Sequence, residues 1–258
     1  MSTVTLASAH NFLDNLSLPR IERRGYEAAE ETPRFDFDAF KNQATVVGSE
    51  VISFVKGVSV DHRQDIVNCA LLAQLAADQM VKDRIKIFDW YDAYFNVLTN
   101  LGWVIQDKSF SSYEENAEGL EAHEAILKVA SVLLGGSPTA LALVVSTIEA
   151  MKSMNADNPW ITIFDRESKT AETARFQIAL ASEDESGQFM VTLMAFGLRA
   201  DSTITQILFF KIRSDNVSFK HCSGKVTIND TVLNGIREKV REKLIGRTGG
   251  YIDSLNLD

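Results

Sequence analysis

Apolar positions in the first half of the chain recur at helical spacing. From Phe37 they run through Phe40, Val47, Val51 and Phe54, three, four or seven residues apart, and Gly57 supplies a stop, which predicts a first helix. Ser59 can cap a second helix, in which Ile66, Cys69, Ala73, Ala76 and Met80 share a face. Phe88, Tyr91, Phe95 and Leu98 do the same in a third, before Gly102. The segment WVIQDKSF from Trp103 predicts a short strand. Glu118 to Leu134 predicts a fourth helix with Leu120, Ile126, Leu127, Ala130 and Leu133 inward, ended by Gly135 and Gly136. Ser137 caps a fifth, Pro138 occupies its first position, and Leu141, Val144, Val145, Ile148 and Met151 form its buried stripe.

After Asn158-Pro159 the period shortens from near four to two. WITIFD, TARFQIAL, QFMVTLMAFGL, ITQILFFKI and NVSFKH are rich in β-branched and aromatic residues, and the polar turns SEDESG, RADS and SDN separate successive members. Short turns predict antiparallel neighbours. Within ITQILFFKI, Phe209 and Ile207 are expected on the core face of a central strand and Leu208 and Phe210 on the other. IREKVREKLIGR predicts a last amphipathic helix with Ile236, Val240 and Leu244 on one side. The pattern gives an α+β fold, helical hairpins packed on a C-terminal antiparallel β-sheet in two layers. Residues 1–34 read as a flexible arm, with trypsin sites at Arg20, Arg23 and Arg24 beside Pro19. Residues 35–258 read as one domain: helical over 35–155, sheet over 159–228, C-terminal helix over 234–247.

At 258 residues, 45% hydrophobic and 24% charged, the chain suits a single core. A formal net charge of -9 disfavours nonspecific binding to nucleic acid and docking on anionic lipid, both of which draw on Lys and Arg. Two cysteines make no disulfide framework. The amino terminus lacks a basic start followed by an apolar run, so synthesis in the cytoplasm is expected, with any release by a route other than the general secretory one. The uncharged stretch from Val129 to Ile148 is near transmembrane length, but Gly135, Gly136, Ser137 and Pro138 at its middle divide it into two helices around a turn.

Familiar catalytic patterns do not complete. No Gly-x-Ser-x-Gly elbow occurs, and Ser223-Gly224-Lys225-Val226 lacks the earlier glycine and final hydroxyl of a phosphate loop, reading instead as a turn. His123-Glu124 opens like a zinc-protease helix, yet Leu127 stands where the second histidine belongs. Asp36 and Asp38 suit a helix start better than a metal. His221 and Cys222 are neighbours on a predicted strand and therefore point to opposite faces, which prevents a dyad. Cys69 lies on an apolar stripe, where a thiol behaves as a small hydrophobe. No metal, no nucleic acid and no catalytic residue is expected.

From Asn155 to about Ile228, NADNPWITIFDRES, a long hairpin region and QILFFKI stand in order, with Trp160, Gln206, Leu208, Phe209 and Phe210 at their centres. This resembles the sheet of the Cyt-type δ-endotoxins, whose architecture the fungal cytolysin volvatoxin and an Erwinia virulence factor share. The resemblance implies helical hairpins covering long antiparallel strands, the segments around Trp160 and Gln206 being two of them. Nearness to the virulence factor further implies a cysteine acylated by palmitate in an apolar cavity, Cys69 and Cys222 being the two candidates and a fatty acyl group the one expected cofactor.

Three readings follow. One is a membrane-active or virulence-type protein, non-enzymatic, in which Val129, Leu133, Leu134, Leu141, Val144, Val145 and Ile148 leave the core at a lipid surface. Another is an intracellular lipid- or small-ligand-binding module without lytic activity. The third is an enzyme with dispersed catalytic residues.

Overall fold

The computed structural model describes residues 4–19, 36–113, 120–183, 189–208, 211–212, 217–245, 247 and 251–256. Its helices are α1 (Leu6–Asn15), α2 (Val60–Met80), α3 (Ile87–Asn100), α4 (Ala122–Leu134), α5 (Pro138–Ser153), α6 (Pro159–Ser168) and α7 (Asp230–Leu244). The strands are β1 (Gln43–Val47), β2 (Glu50–Phe54), β3 (Trp103–Val104), β4 (Ser111–Ser112), β5 (Leu120–Glu121), β6 (Thr173–Glu183), β7 (Phe189–Ala200), β8 (Lys211–Ile212), β9 (Val217–Ile228) and β10 (Ile252–Asn256). The α+β class holds. One sheet runs in the order β10-β1-β2-β6-β7-β9-β3, with β4 also on β9. It is mixed rather than wholly antiparallel, because β2 lies parallel to β6. Nor is it confined to the C-terminal half, since β1 and β2 supply two of its rows.

Helices cover both faces, giving three layers where two were expected. Ile52, Phe54, Ala179, Ala181, Leu193 and Val226 join α1, α2, α3 and α7 in one apolar cluster. Val46, Val51, Phe176, Ile178, Phe196 and Phe219 join α4, α5 and α6 in the other. Strands covered on both sides need no polar face, which explains why every residue of β1 and β2 is buried.

That burial corrects the first predicted helix. Residues 43–54 form a hairpin, and its turn is set by Gly48 at φ 55°, a left-handed conformation that favours glycine. The WITIFD segment is a second correction: it lies in α6. Asn158 accepts a hydrogen bond from Trp160 N and Pro159 takes the first turn, so capping outweighs β-propensity. Ile204 to Leu208 form no strand either, although Ile204, Ile207 and Leu208 are buried. Trp160, Gln206 and Leu208 therefore lie outside the strands that the resemblance implied, while Lys211–Ile212, at the end of the second segment, form β8. Ser223 to Val226 continue β9 and make no turn, with Gly224 paired to Leu193.

The second to fifth helices and the last one are present, with Ser59 capping α2 and Pro138 opening α5. Their stripes differ in detail: Met80 and Phe88 are exposed, Leu127, Leu133, Leu141 and Val145 are half-buried, Ser137 makes no side-chain cap bond, and Leu120 lies in β5 ahead of α4. The arm is corrected in its first part, where α1 docks on α7 with Ala9 and Leu13 fully buried. Lys239 pairs with Asp14 at 2.6 Å, and Lys243 donates to Leu16 O at 2.8 Å, a C-terminal carbonyl that cations favour. Arg20, Arg23, Arg24, Phe209 and Phe210 lie outside the described residues.

Candidate functional site

The two helical layers are fastened to the sheet by different chemistry. Beneath α2 and α3 runs a buried polar seam. The Tyr91 hydroxyl is shared between the carbonyls of Phe176 and Phe196, at 2.9 and 2.8 Å, and accepts from Gln177 Nε2 at 3.1 Å. The Ser49 hydroxyl lies 3.0 Å from Gln177 Oε1 and 3.1 Å from Gln74 Oε1. Gln74 Nε2 donates to Val47 O at 2.8 Å, and Tyr94 Oη donates to Glu50 Oε2 at 2.7 Å. At the outer end Asp78 accepts from Trp90 Nε1 and Arg175 Nη2 at 2.7 and 2.6 Å, with Arg175 stacked 4.3 Å over the Trp90 ring. Each of these groups would be costly to bury unpaired.

The opposite face is largely apolar. Phe176, Phe196 and Phe219, on three successive strands, stack with ring centroids 5.1 and 5.6 Å apart, and Phe164 of α6 meets Phe176 edge-on. Val129, Leu134, Val144 and Ile148 are buried in this cluster; Leu133, Leu141 and Val145 are half-buried. Among the described residues no helix is long and apolar enough to cross a membrane. The polar links here include Ser53 Oγ to Thr147 Oγ1 at 2.9 Å, and His123, whose Nδ1 lies 3.1 Å from Leu208 O and whose Nε2 lies 3.1 Å from Lys152 Nζ.

The structure keeps the two candidate cysteines as free thiols. Cys69 is fully buried on α2, and burial pushes its pKa up. Cys222 lies on the wall of a cavity of about 120 Å³ with Phe95, Ile105, Asp107, Leu193 and Val226. Its Sγ is 3.7 Å from Asp107 O, and burial first, then the Asp107 charge, push the thiol up to about 11. A thiol so protonated is a weak nucleophile near neutrality. His221 turns to the other face, toward Phe196 and Tyr113 with centroids 6.5 and 6.4 Å away, and burial lowers its pKa. The alternation of a strand thus separates the pair, as its spacing requires.

Glu50, Tyr94, Gln74 and Gln177 had no part in the sequence reading, and Tyr91 entered it only as an apolar position of the third helix. One signal was available: Glu50 is a lone acid in the apolar run VVGSEVISFV. Among the described residues no group of three His, Cys, Asp or Glu could hold a metal ion.

No family model matches the chain, and no curated protein matches it. Among solved structures it is similar to a delta-endotoxin at 18% identity, covering 84% of this chain and 96% of that one, with a TM-score of 0.43. It is similar to the Evf virulence factor at 12% identity, covering 93% and 91%, with a TM-score of 0.40. The activated Cyt2Ba monomer from Bacillus thuringiensis subsp. israelensis matches at 16% identity, covering 70% and 98%, with a TM-score of 0.37. These are the groups that the sequence resemblance named. Scores of this size transfer neither residue roles nor an activity.

Proposed function

We propose that the chain is a non-enzymatic, membrane-active protein of virulence type, in which α4 and α5 come away from the sheet at a lipid surface. The supporting observation is the contrast between the two faces. Exchanging an apolar helix contact for lipid leaves few polar groups unsatisfied, whereas lifting α2 and α3 would break the Tyr91, Gln177 and Tyr94 bonds inside a low-dielectric core. With 13 and 16 residues, α4 and α5 extend about 20 and 24 Å, short of the roughly 30 Å hydrocarbon core. They would therefore lie along the interface. The strands they uncover have 11, 12 and 12 residues in β6, β7 and β9, enough for the 9 to 11 that a tilted transmembrane strand needs. Cytoplasmic synthesis followed by release outside the secretory route belongs to the same reading. Release of dye from zwitterionic liposomes tests it, the net charge of -9 making anionic lipid the poorer target. Intact vesicles at both acidic and neutral pH would overturn it.

The cavity at Cys222 favours a second reading, a lipid- or small-ligand-binding module with Cys222 as the residue that a fatty acyl group would modify. At about 120 Å³ the space is below the 300–1,000 Å³ of ordinary ligand pockets, so an acyl chain would have to part Phe95 from Leu193 and Val226. Intact-mass spectrometry decides it: an added acyl mass on Cys222, lost with hydroxylamine, supports the reading, and an unmodified mass counts against it.

A further inference from the structure

Glu50 is the first residue of β2, fully buried, and it faces the layer of α2 and α3. One carboxyl oxygen accepts the Tyr94 hydroxyl at 2.7 Å. The other, Oε1, has no hydrogen-bond partner among the described residues. The Gln74 carboxamide lies alongside and eases the charged form, but its amide is already bonded to Val47 O. From α3 the titratable groups facing Glu50 are Tyr94 and Tyr91, and Cys69 of α2 neighbours Tyr94; burial pushes the pKa of all three up. On β1 its pairing partner is Val47, and on β6 it is Gln177. Arg175, further along β6, is occupied by Asp78 and Trp90. Helix α5 packs on the opposite face of β2, through Ser53. Among the described residues no cation therefore meets this carboxyl, and a charge here would keep one oxygen unsolvated in the core.

We propose that Glu50 is a proton-operated latch: in its neutral form it holds the β1–β2 hairpin under α2 and α3, and loss of the proton loosens that helical layer from the sheet. As an acid, Glu50 has a hydroxyl in place of one bare oxygen and removes the buried charge; Tyr94 still donates to its remaining acceptor. As a carboxylate it is held by Tyr94 and the Gln74 dipole alone. Burial, opposed by Tyr94 and Gln74, lifts its pKa from the ordinary 4.5 to about 7. For an acid raised in the folded state, the stabilisation is fully present below about pH 4.5. It is lost as pH rises through about 7, because the unfolded chain gives up its proton first. The latch thus closes on acidification and strains on alkalisation, and it acts on the hydrogen-bonded face rather than on α4 and α5.

The test is a titration of the full chain with ¹³C-labelled glutamate carboxyls, assigned by comparison with Glu50→Gln. Glu50 is expected to titrate near pH 7, and acrylamide quenching of Trp90, which stacks on Tyr94, to rise with the same midpoint. Glu50→Gln should remove that rise, and its melting temperature should fall less than the wild type's between pH 5 and 8. Tyr94→Phe, which removes the donor to the carboxylate, should move the midpoint up. A Glu50 midpoint in the ordinary carboxylate range, or quenching and melting profiles in Glu50→Gln that follow the wild type, would overturn the latch. If Glu50→Gln fails to fold, assignment by Tyr94→Phe and the wild-type midpoint decide alone.

Discussion

Ser53 Oγ lies 2.9 Å from Thr147 Oγ1, joining β2 to the middle of α5. The Thr147 hydroxyl donates to Leu143 O in its own helix at 2.9 Å, so Ser53 is the donor between the two elements. Side-chain atoms this close stand near the positions that two cysteine sulfurs take. Ser53→Cys with Thr147→Cys should form a disulfide that pins α5 to the sheet. Liposome leakage should be blocked when it is oxidised and restored when it is reduced. Leakage that persists in the oxidised protein would make α4 and α5 mere scaffold.

Gly48→Ala should destabilise the fold by about 1–3 kcal/mol, measured by urea denaturation. Two effects act together: φ of 55° disfavours a side chain, and a β-carbon would sit 2.3 Å from Gln74 Oε1, the acceptor for the Ser49 amide. Unchanged stability would mean that the seam tolerates displacement of Gln74.

Tyr91→Phe keeps the ring and removes the hydroxyl shared by Phe176 O and Phe196 O. Gln177 Nε2 loses its acceptor as well. A loss of about 1–3 kcal/mol is expected, with the far-ultraviolet circular dichroism spectrum unchanged. A loss below about 0.5 kcal/mol would show that water takes the hydroxyl's place.

Leu13 is fully buried between α1 and the rest of its cluster. Leu13→Ala should cost about 2–5 kcal/mol, as core truncations of leucine do, and deletion of residues 1–16 should cost at least as much. A truncated chain with the full melting temperature would restore the loosely attached arm.

Cys222 should react slowly with a thiol reagent at neutral pH and about tenfold faster per pH unit on approach to 11. Cys69, fully buried on α2, should react only after unfolding. Fast, pH-independent labelling at pH 7 would contradict the burial of Cys222.

How far the fold could be read ahead depended on whether an element carries a local start or stop signal that outweighs its apolar spacing. The starts of α2 at Ser59 and of α5 at Pro138 were legible from local capping chemistry, although α2 is buried on every side from Asp65 to Ala77. The hairpin at 43–54 was not, since a strand covered on both faces loses its alternation and chance spacings such as Val47, Val51 and Phe54 then mimic a helix. In α6 the Asn158 and Pro159 signals were present, but the β-branched composition of WITIFD was given more weight. The seam was illegible for another reason. Its members come from α2, α3, the β1–β2 turn and β6, and no local spacing joins Gln74 to Gln177. The opposite orientations of His221 and Cys222, by contrast, followed from adjacency alone.

The parallel pairing of β2 with β6, across all the intervening helices from α2 to α6, also bears on how the molecule is made. The β1–β2 hairpin is synthesised before its neighbours on both sides, β6 and β10, which follow it by more than a hundred residues. Contacts between such distant segments form late and slowly. A nascent chain halted after α5 would hold an apolar hairpin with two unpaired edges, a template for association with other chains. Completion of the sheet around this hairpin therefore waits for the second half of the chain, and a holding chaperone that shields residues 43–54 until β6 and β10 arrive should raise the yield of folded molecules.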